Sequence, residues 1–572
     1  MYSKKNKLFK VATISLLITL VSSLILSTNV KADGNSLPAF DKSKAGGTLK
    51  LVAQSAAGTL DPKINYTAQY WQLYVATYDG LLAFKYASGP EAFKVVPDLA
   101  TAMPVISNGG KTLTFTLRSG IKFSNGQPVT VNDVKASFER VFKVSGPTAG
   151  TFFNGIIGAD VCLKTPATCK LDKGIVVNPS TNQVVLNLVS PDDAILYKLS
   201  TPHAAINPAA TPGKDQGTTP IPTTGPYMYK SYDTNKSLIL VRNPYFKEWS
   251  HDANPQGYPD QIEYDFGVTP TAAVTAVENN QVNFMFDQIP ADRLPEIGTK
   301  YANQAHISQL TAMWYLPLNV NIAPFNNPKA RQAINYAVDR NALIKIYGGA
   351  NLATPVCSIL PPNFPGHVDF CGYTKGATPQ KPATSWTAPD LDLAKKLVKE
   401  SGTQGQPVAV VVADDDVNKQ MGVYLQSVLN AIGYKATVKA ISGNIQFTYI
   451  QNTKNKVQIS VTQWFQDYPA AVDFLYVLFG CASFIPNSDS SINMAGYCNK
   501  PLDDRMKAAI TLGAVNPTAA NAQWGQIDKD MMADAPTVPL FTPKQLDFIS
   551  SGTKNYVFSP QNKMLFSQAQ LK

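Results

Sequence analysis

The chain offers few groups for reactive chemistry: six cysteines and four histidines in 572 residues. A zinc site needs clustered ligands, yet there is no Cys-x-x-Cys, and His203, His251, His306 and His367 stand singly. The His-Glu-x-x-His of zinc hydrolases and the Gly-x-Ser-x-Gly of serine hydrolases are absent as well. No residue is marked as a catalytic base, nucleophile or metal ligand, and no cofactor is expected. The cysteines form three local couples, Cys162 with Cys169, Cys357 with Cys371 and Cys481 with Cys498, each in a loop-like stretch far from the others. Six cysteines allow fifteen pairings, and in an oxidising compartment the local pairing is expected. Loops this short give each bridge roughly 2 to 3 kcal/mol, enough to pin a surface loop. A different chemistry is available to Trp464 and Asp467, in the string Trp464-Phe465-Gln466-Asp467-Tyr468-Pro469. A buried carboxylate beside a broad aromatic face can hold an organic cation. On spacing alone, Asp467 serves equally as a turn cap before Pro469 and Trp464 as a core residue.

The elements that would position this pair alternate. Residues 390–401 read as a helix with Leu393, Leu397 and Val398 inward and Gly402 as its stop. A Val/Ala run at 407–413 reads as a buried strand. A second helix at 418–432 shows Met421, Leu425, Val428 and Leu429 on one face, and 434–441 and 456–462 read as further strands. Such alternation implies an α/β fold with a mainly parallel sheet covered on both faces. Ligands bind such sheets beyond the carboxyl ends of strands, and Trp464 and Asp467 follow directly on the strand expected to end at Thr462. Earlier, Leu113, Phe115 and Leu117 alternate as in a half-buried strand, Ser124-Asn125-Gly126 supplies a turn, and Thr130 with Asp133 can cap a helix. Val134, Phe138, Val141 and Phe142 share one face of that helix.

Residues 1–32 read as a secretory signal: Lys4, Lys5, Lys7 and Lys10, then an uncharged run at 11–26, then Val30-Lys31-Ala32 as a small-residue cleavage site. An uncleaved membrane anchor is the rival reading. No cysteine follows the apolar run, so lipid attachment has no acceptor, and a periplasmic or extracellular protein is expected. The leader holds five lysines and no acid, so its removal lowers the formal charge from +10 to +5. That is ordinary for so long a chain, and no basic run with interleaved aromatics points to nucleic acid.

The 109–140 block, with Tyr78-Asp79-Gly80-Leu81 and Pro97-Asp98-Leu99-Ala100 before it, resembles the family 5 extracellular solute-binding proteins of ABC importers, among them oligopeptide and dipeptide binders. The resemblance continues in order through Thr224-Gly225-Pro226-Tyr227, Arg242-Asn243-Pro244-Tyr245, Leu318-Asn319-Val320-Asn321, the helix-like string at 328–340, and Trp464-Phe465-Gln466-Asp467-Tyr468-Pro469.

It implies a periplasmic-binding-protein-like fold of type II, two lobes around a cleft, with an additional domain. After a polar leader at 33–43, lobe I would comprise 44–78, 217–313 and 539–572, the additional domain 79–216, and lobe II 314–538. Asp467 matches the family aspartate that pairs with a peptide's α-ammonium group, Trp464 the cleft tryptophan, and Tyr66 lies where members present main chain to an extended ligand. The family often has a second acid shortly after that aspartate; here Ala470 and Ala471 stand there, with Asp473 slightly later. Lys454 and Lys456 lie nearby, but no residue matches a binder of the ligand carboxylate. The implied protein is a monomeric, non-catalytic receptor that captures short peptides and delivers them to ABC permease subunits, touching the membrane only through the permease or an uncleaved anchor. The same fold binding an oligosaccharide or a metal complex is the alternative, and an exported hydrolase a more distant one.

Overall fold

The computed structural model describes residues 36–571. The expected signal at 1–32 lies outside the described residues, as does the start of the 33–43 leader. The rest of the leader docks on the fold: Ser36 bridges Ala87, and the carbonyl of Leu37 lies 3.0 Å from His251 Nε2.

Four sheets of three or more strands organise the described residues. The first has five strands in the order Phe284–Met285, Thr48–Ala53, Gln261–Phe266, Ser237–Arg242, Tyr227–Asp233. Thr48–Ala53 runs parallel to both its neighbours, and the remaining pairs are antiparallel. Leu49, Leu51, Leu238, Leu240, Ile262 and Tyr264 are fully buried on one face, and Val52 meets Ala273, Val274 and Val277 of the helix Pro270–Glu278 on the other. The second sheet is antiparallel, in the order Val105–Ser107, Thr112–Thr116, Gln183–Asn187, Ile175–Asn178. The helix Val131–Lys143 covers it with Val134, Phe138, Val141 and Phe142, all buried as their spacing predicts. The Thr130 N–H and hydroxyl both donate to Asp133 Oδ2, at 2.8 and 2.7 Å, fixing the helix start.

The parallel sheet has three strands, with Pro407–Ala413 between Lys435–Ile441 and Ile459–Ser460. Helices Leu391–Glu400 and Asp416–Ala431 accompany it. In the first of these helices Ala394 and Val398 are buried while Leu393 and Leu397 are half-buried, a one-residue rotation of the expected face. The sheet is not covered throughout: Lys435, Thr437 and Lys439 are exposed on the edge strand, where lysines discourage pairing with another chain. Two further differences concern the segment leading to the site. A short helix, Gln446–Gln451, was not expected. The strand expected over 456–462 is two strands: Ile459–Ser460 pairs with Pro407–Ala413, and Thr462–Phe465 pairs antiparallel with Ala312–Pro317. The chain changes sheets at Val461, whose N–H still reaches the Val411 carbonyl at 3.0 Å. Trp464 therefore lies inside a strand, opposite Met313, rather than after one.

The fourth sheet joins the first and the parallel one. Its 12-residue strand Thr537–Phe548 pairs first with Ala312–Pro317 and then with Ala305–Gln309, and Ile549, just beyond it, bridges Phe284 of the first sheet. One core lies under the first sheet, around Leu49, Tyr70, Leu240 and Phe284. A larger one runs without a break from the second sheet through Phe152 and Phe153 to Tyr468, Phe474 and the parallel sheet. The disulfides are the three local ones, with Cα–Cα separations of 4.5 Å for Cys162–Cys169, 5.0 Å for Cys357–Cys371 and 4.6 Å for Cys481–Cys498. No helix among the described residues is long and apolar enough to cross a membrane.

Candidate functional site

The loop before the helix Ala68–Thr77 carries Tyr66, and buried polar groups hold it still. Asp61, fully buried, accepts both guanidinium nitrogens of Arg140, with Nη1 at 2.8 Å, and caps its own turn through the Lys63 N–H at 3.1 Å. The buried Lys63 ammonium donates to the carbonyls of His203 and Ala205 at 2.8 and 2.5 Å. Asn65 ties the two ends of the loop together, donating to the Ala57 and Thr59 carbonyls and accepting from Thr67. Charges so placed are costly to leave unpaired, so the loop keeps one shape.

On the facing segment, Thr462–Phe465 delivers Trp464 and Asp467. The Gln466 N–H donates to the Thr311 carbonyl at 2.9 Å, and the Asp467 N–H donates to Asp473 Oδ2 at 2.9 Å. Asp473 sits in the first turn of the helix Val472–Phe479, fully buried. A third segment closes on both. In the tight turn between Phe558–Ser559 and Lys563–Met564, the Gln561 amide donates to the Asp467 carbonyl and accepts from Gln466 Nε2 at 2.8 Å. Next to it, Asn562 accepts from Trp71 Nε1 at 3.4 Å, and the Lys563 ammonium lies 3.5 Å from the centre of the Phe465 ring.

The three residues singled out from the sequence meet here. The Tyr66 hydroxyl donates to Asp467 Oδ2, and the Tyr66 and Trp464 rings meet edge to face at 5.4 Å and 89°. His203 packs edge-on against Tyr66 at 4.4 Å, and Phe152 and Trp71 complete an aromatic wall. Asp467 is 6% and Trp464 8% exposed. Burial pushes the Asp467 carboxyl up to about 7, while its hydrogen bonds from Tyr66 and with Asp473 act the other way. Burial and the charge of Asp467 drive Asp473 well above the carboxylate range. Polar atoms here without a protein partner among the described residues include Trp464 Nε1, Tyr468 Oη, Asp473 Oδ1 and both ring nitrogens of His203. The site can thus hold a cation at one buried carboxylate beside aromatic faces.

The sequence left Asp473, Gln561 and His203 without roles. Asp473 stood in plain view as an acid slightly displaced from the family position, whereas nothing in the sequence ties Gln561 to a residue 94 positions earlier. Lys454 and Lys456 stay exposed and are not brought to the site.

Residues 94–485 match the model of the bacterial extracellular solute-binding proteins, family 5. The chain belongs to this family. This solute-binding protein is 26% identical over 478 residues to the glutathione-binding protein GsiB of Salmonella typhi, covering 82% of this chain and 84% of that one. It is 25% identical over 452 residues to the periplasmic oligopeptide-binding protein OppA of Salmonella typhimurium, covering 75% and 76%. Among solved structures, Helicobacter pylori DppA in complex with the peptide STSA superposes with a TM-score of 0.75 at 20% identity, covering 92% of this chain and 99% of that one. The fold of the solute-binding protein is accordingly the type II periplasmic-binding architecture. The family consists of proteins that bind their solutes outside the cytoplasm rather than convert them.

Proposed function

We propose that the protein captures short peptides outside the cytoplasmic membrane by closure of two lobes and delivers them to the permease subunits of an ABC importer. The observation that carries this reading is the buried carboxylate of Asp467, which takes hydrogen bonds at its side chain from Tyr66 and at its carbonyl from Gln561. Tyr66 and Gln561 belong to the proposed lobe I, 44–78 with 217–313 and 539–572, and Asp467 to the proposed lobe II, 314–538. Residues 79–216 form the proposed additional domain, which supplies Phe152 and His203. A peptide α-ammonium enclosed at Asp467 loses its water and needs a carboxylate of this kind, while Trp464 and Tyr66 accept varied side chains on their ring faces. The relatives named for glutathione and oligopeptides support a peptide ligand.

Contacts that need both lobes exist only when the cleft is closed, so a ligand that adds to them shifts the population toward the closed form. The hinge in this reading is the pair of crossing segments, 305–317 and Thr537–Phe548. Calorimetry with matched free and N-acetylated peptides tests the proposal. Saturable binding of the free peptide and loss of binding on acetylation is the expected result. Binding that ignores acetylation, or no binding across a peptide library, overturns it.

A further inference from the structure

Two of the sequence strings that mark the family, Tyr78-Asp79-Gly80-Leu81 and Pro97-Asp98-Leu99-Ala100, bring together carboxylates that the peptide site does not use. Asp79 is 2% exposed and Asp98 1%. Both line a cavity of about 30 Å³, along with Asn254, Asn562, Ser200 and Thr201, which is room for a single water or ion.

The hydrogen bonds leave oxygen to spare. Asp79 Oδ1 accepts from Asn254 Nδ2 at 2.6 Å, and Asp98 Oδ1 accepts from Trp249 Nε1 at 2.9 Å. Asn254 Oδ1 is buried with no partner among the described residues, and Asp79 Oδ2 has none but the neighbouring Asp98 carboxyl. Positive charge is missing. No lysine, arginine or histidine lines the cavity, and Arg118 donates to the backbone carbonyl of Asp98, at 2.8 Å, rather than to its carboxylate. Burial accordingly raises both carboxyls, and the charge of Asp79 drives Asp98 up further.

We propose that this cavity is a cation site, selective for Ca²⁺, formed by the Asp79 and Asp98 carboxylates and the Asn254 side-chain oxygen. The donor set is all oxygen with two negative charges, which suits a hard divalent ion and lacks the sulfur and imidazole that favour zinc or copper. Ca²⁺ tolerates an irregular arrangement and can use both oxygens of a carboxylate. Mg²⁺ demands a near-ideal octahedron at shorter distances. No group of three or more His, Cys, Asp or Glu side chains among the described residues could hold a metal, so the site relies on neutral oxygens beside its two acids. Asp79 and Asp98 follow the helix Ala68–Thr77 and the strand Val95–Pro97, and Asn254 belongs to the segment just before the first sheet's Gln261–Phe266. The ion thus ties the start of 79–216 to the sheet it leaves.

The competing arrangement is one proton shared between the two carboxyls, and the two respond oppositely. The test uses purified protein stripped with EDTA and dialysed at pH 8, where a shared proton is least able to hold the pair. Metal content is then measured after Ca²⁺ is restored, and thermal melting is followed with Ca²⁺, Mg²⁺ and Na⁺ added separately. The expected result is one Ca²⁺ per chain and a midpoint raised by roughly 3 to 5 °C at hundredfold excess over Kd. Asp98→Asn, which keeps the shape and removes one charge, should lose at least tenfold in Ca²⁺ affinity. A metal-free wild type whose melting ignores millimolar Ca²⁺ overturns the site, as does an undiminished response in Asp98→Asn. A response to Mg²⁺ or Na⁺ alone overturns the assignment to calcium. If Asp98→Asn does not fold, the wild-type stoichiometry decides.

Discussion

The hydroxyl of Tyr66 donates to Oδ2 of Asp467, joining residues 401 positions apart across the centre of the candidate site. A neutral donor there favours the ionised carboxylate, since burial holds the Tyr66 hydroxyl protonated far above the usual phenol range. Tyr66→Phe removes the donor and keeps the ring. Peptide affinity at pH 7 should fall by about 3- to 10-fold, the worth of one hydrogen bond to a charged group less what the ligand replaces. Calorimetry that finds wild-type affinity in this variant removes Tyr66 from the site.

Asp467→Asn tests the carboxylate with little change of shape. An ammonium enclosed without its counter-charge costs about 3 to 5 kcal/mol, so free peptides should bind at least a hundredfold more weakly. Circular dichroism and melting should stay close to wild type, because the amide still accepts from Tyr66. Undiminished binding assigns ammonium recognition elsewhere.

The pH dependence follows from the Asp467 carboxyl at about 7. Burial has raised this value, so the free protein holds the proton below about 7, and an ammonium ligand must displace it. Affinity should fall as pH drops through 7, by about tenfold per unit until it reaches the lower pKa of the liganded site, and fall again above about pH 8 as the peptide's own ammonium loses its proton. Binding at pH 7 should release a proton, seen as a calorimetric enthalpy that depends on the ionisation heat of the buffer. An affinity that is flat from pH 6 to 8 contradicts this.

Gln561 reaches the Asp467 carbonyl from the last hairpin of the chain. Gln561→Ala should leave the carboxylate intact while weakening the closed form, so its effect belongs in the dissociation rate. Stopped-flow fluorescence should show release faster by roughly 3- to 10-fold with association little changed. A slower association alone would point to local misfolding of the hairpin.

The Cys481–Cys498 bridge closes the segment that follows the Asp473 helix. Replacing both cysteines by serine should lower unfolding stability by about 3 kcal/mol. Denaturation monitored at the Trp464 side of the molecule checks this, and an unchanged midpoint shows that packing alone holds the segment.

Much of this was legible in the sequence where the signal is local. Thr130 and Asp133 cap their helix, Val134, Phe138, Val141 and Phe142 face the core, and each cysteine bonds to its near neighbour. The convergence of Tyr66, Trp464 and Asp467 came from ordered family strings rather than from periodicity. What escaped was set by long-range pairing. Nothing between Val457 and Phe465, no glycine and no proline, marks the change of sheet at Val461, because the break is imposed by the partners Val411 and Met313. Gln561 carries no signal either, since a glutamine in a turn looks the same whether it faces water or a buried carbonyl.

The placement of Thr537–Phe548 bears on when the protein can fold. The Ala305–Gln309 strand waits for this partner, Ala312–Pro317 has only Thr462–Phe465 before it, and the hairpin beyond supplies Gln561. A chain emerging in order from its amino end therefore has its two crossing segments joined only once residues 537–548 have been made. The nascent protein stays incomplete at this junction while most of its length is already made.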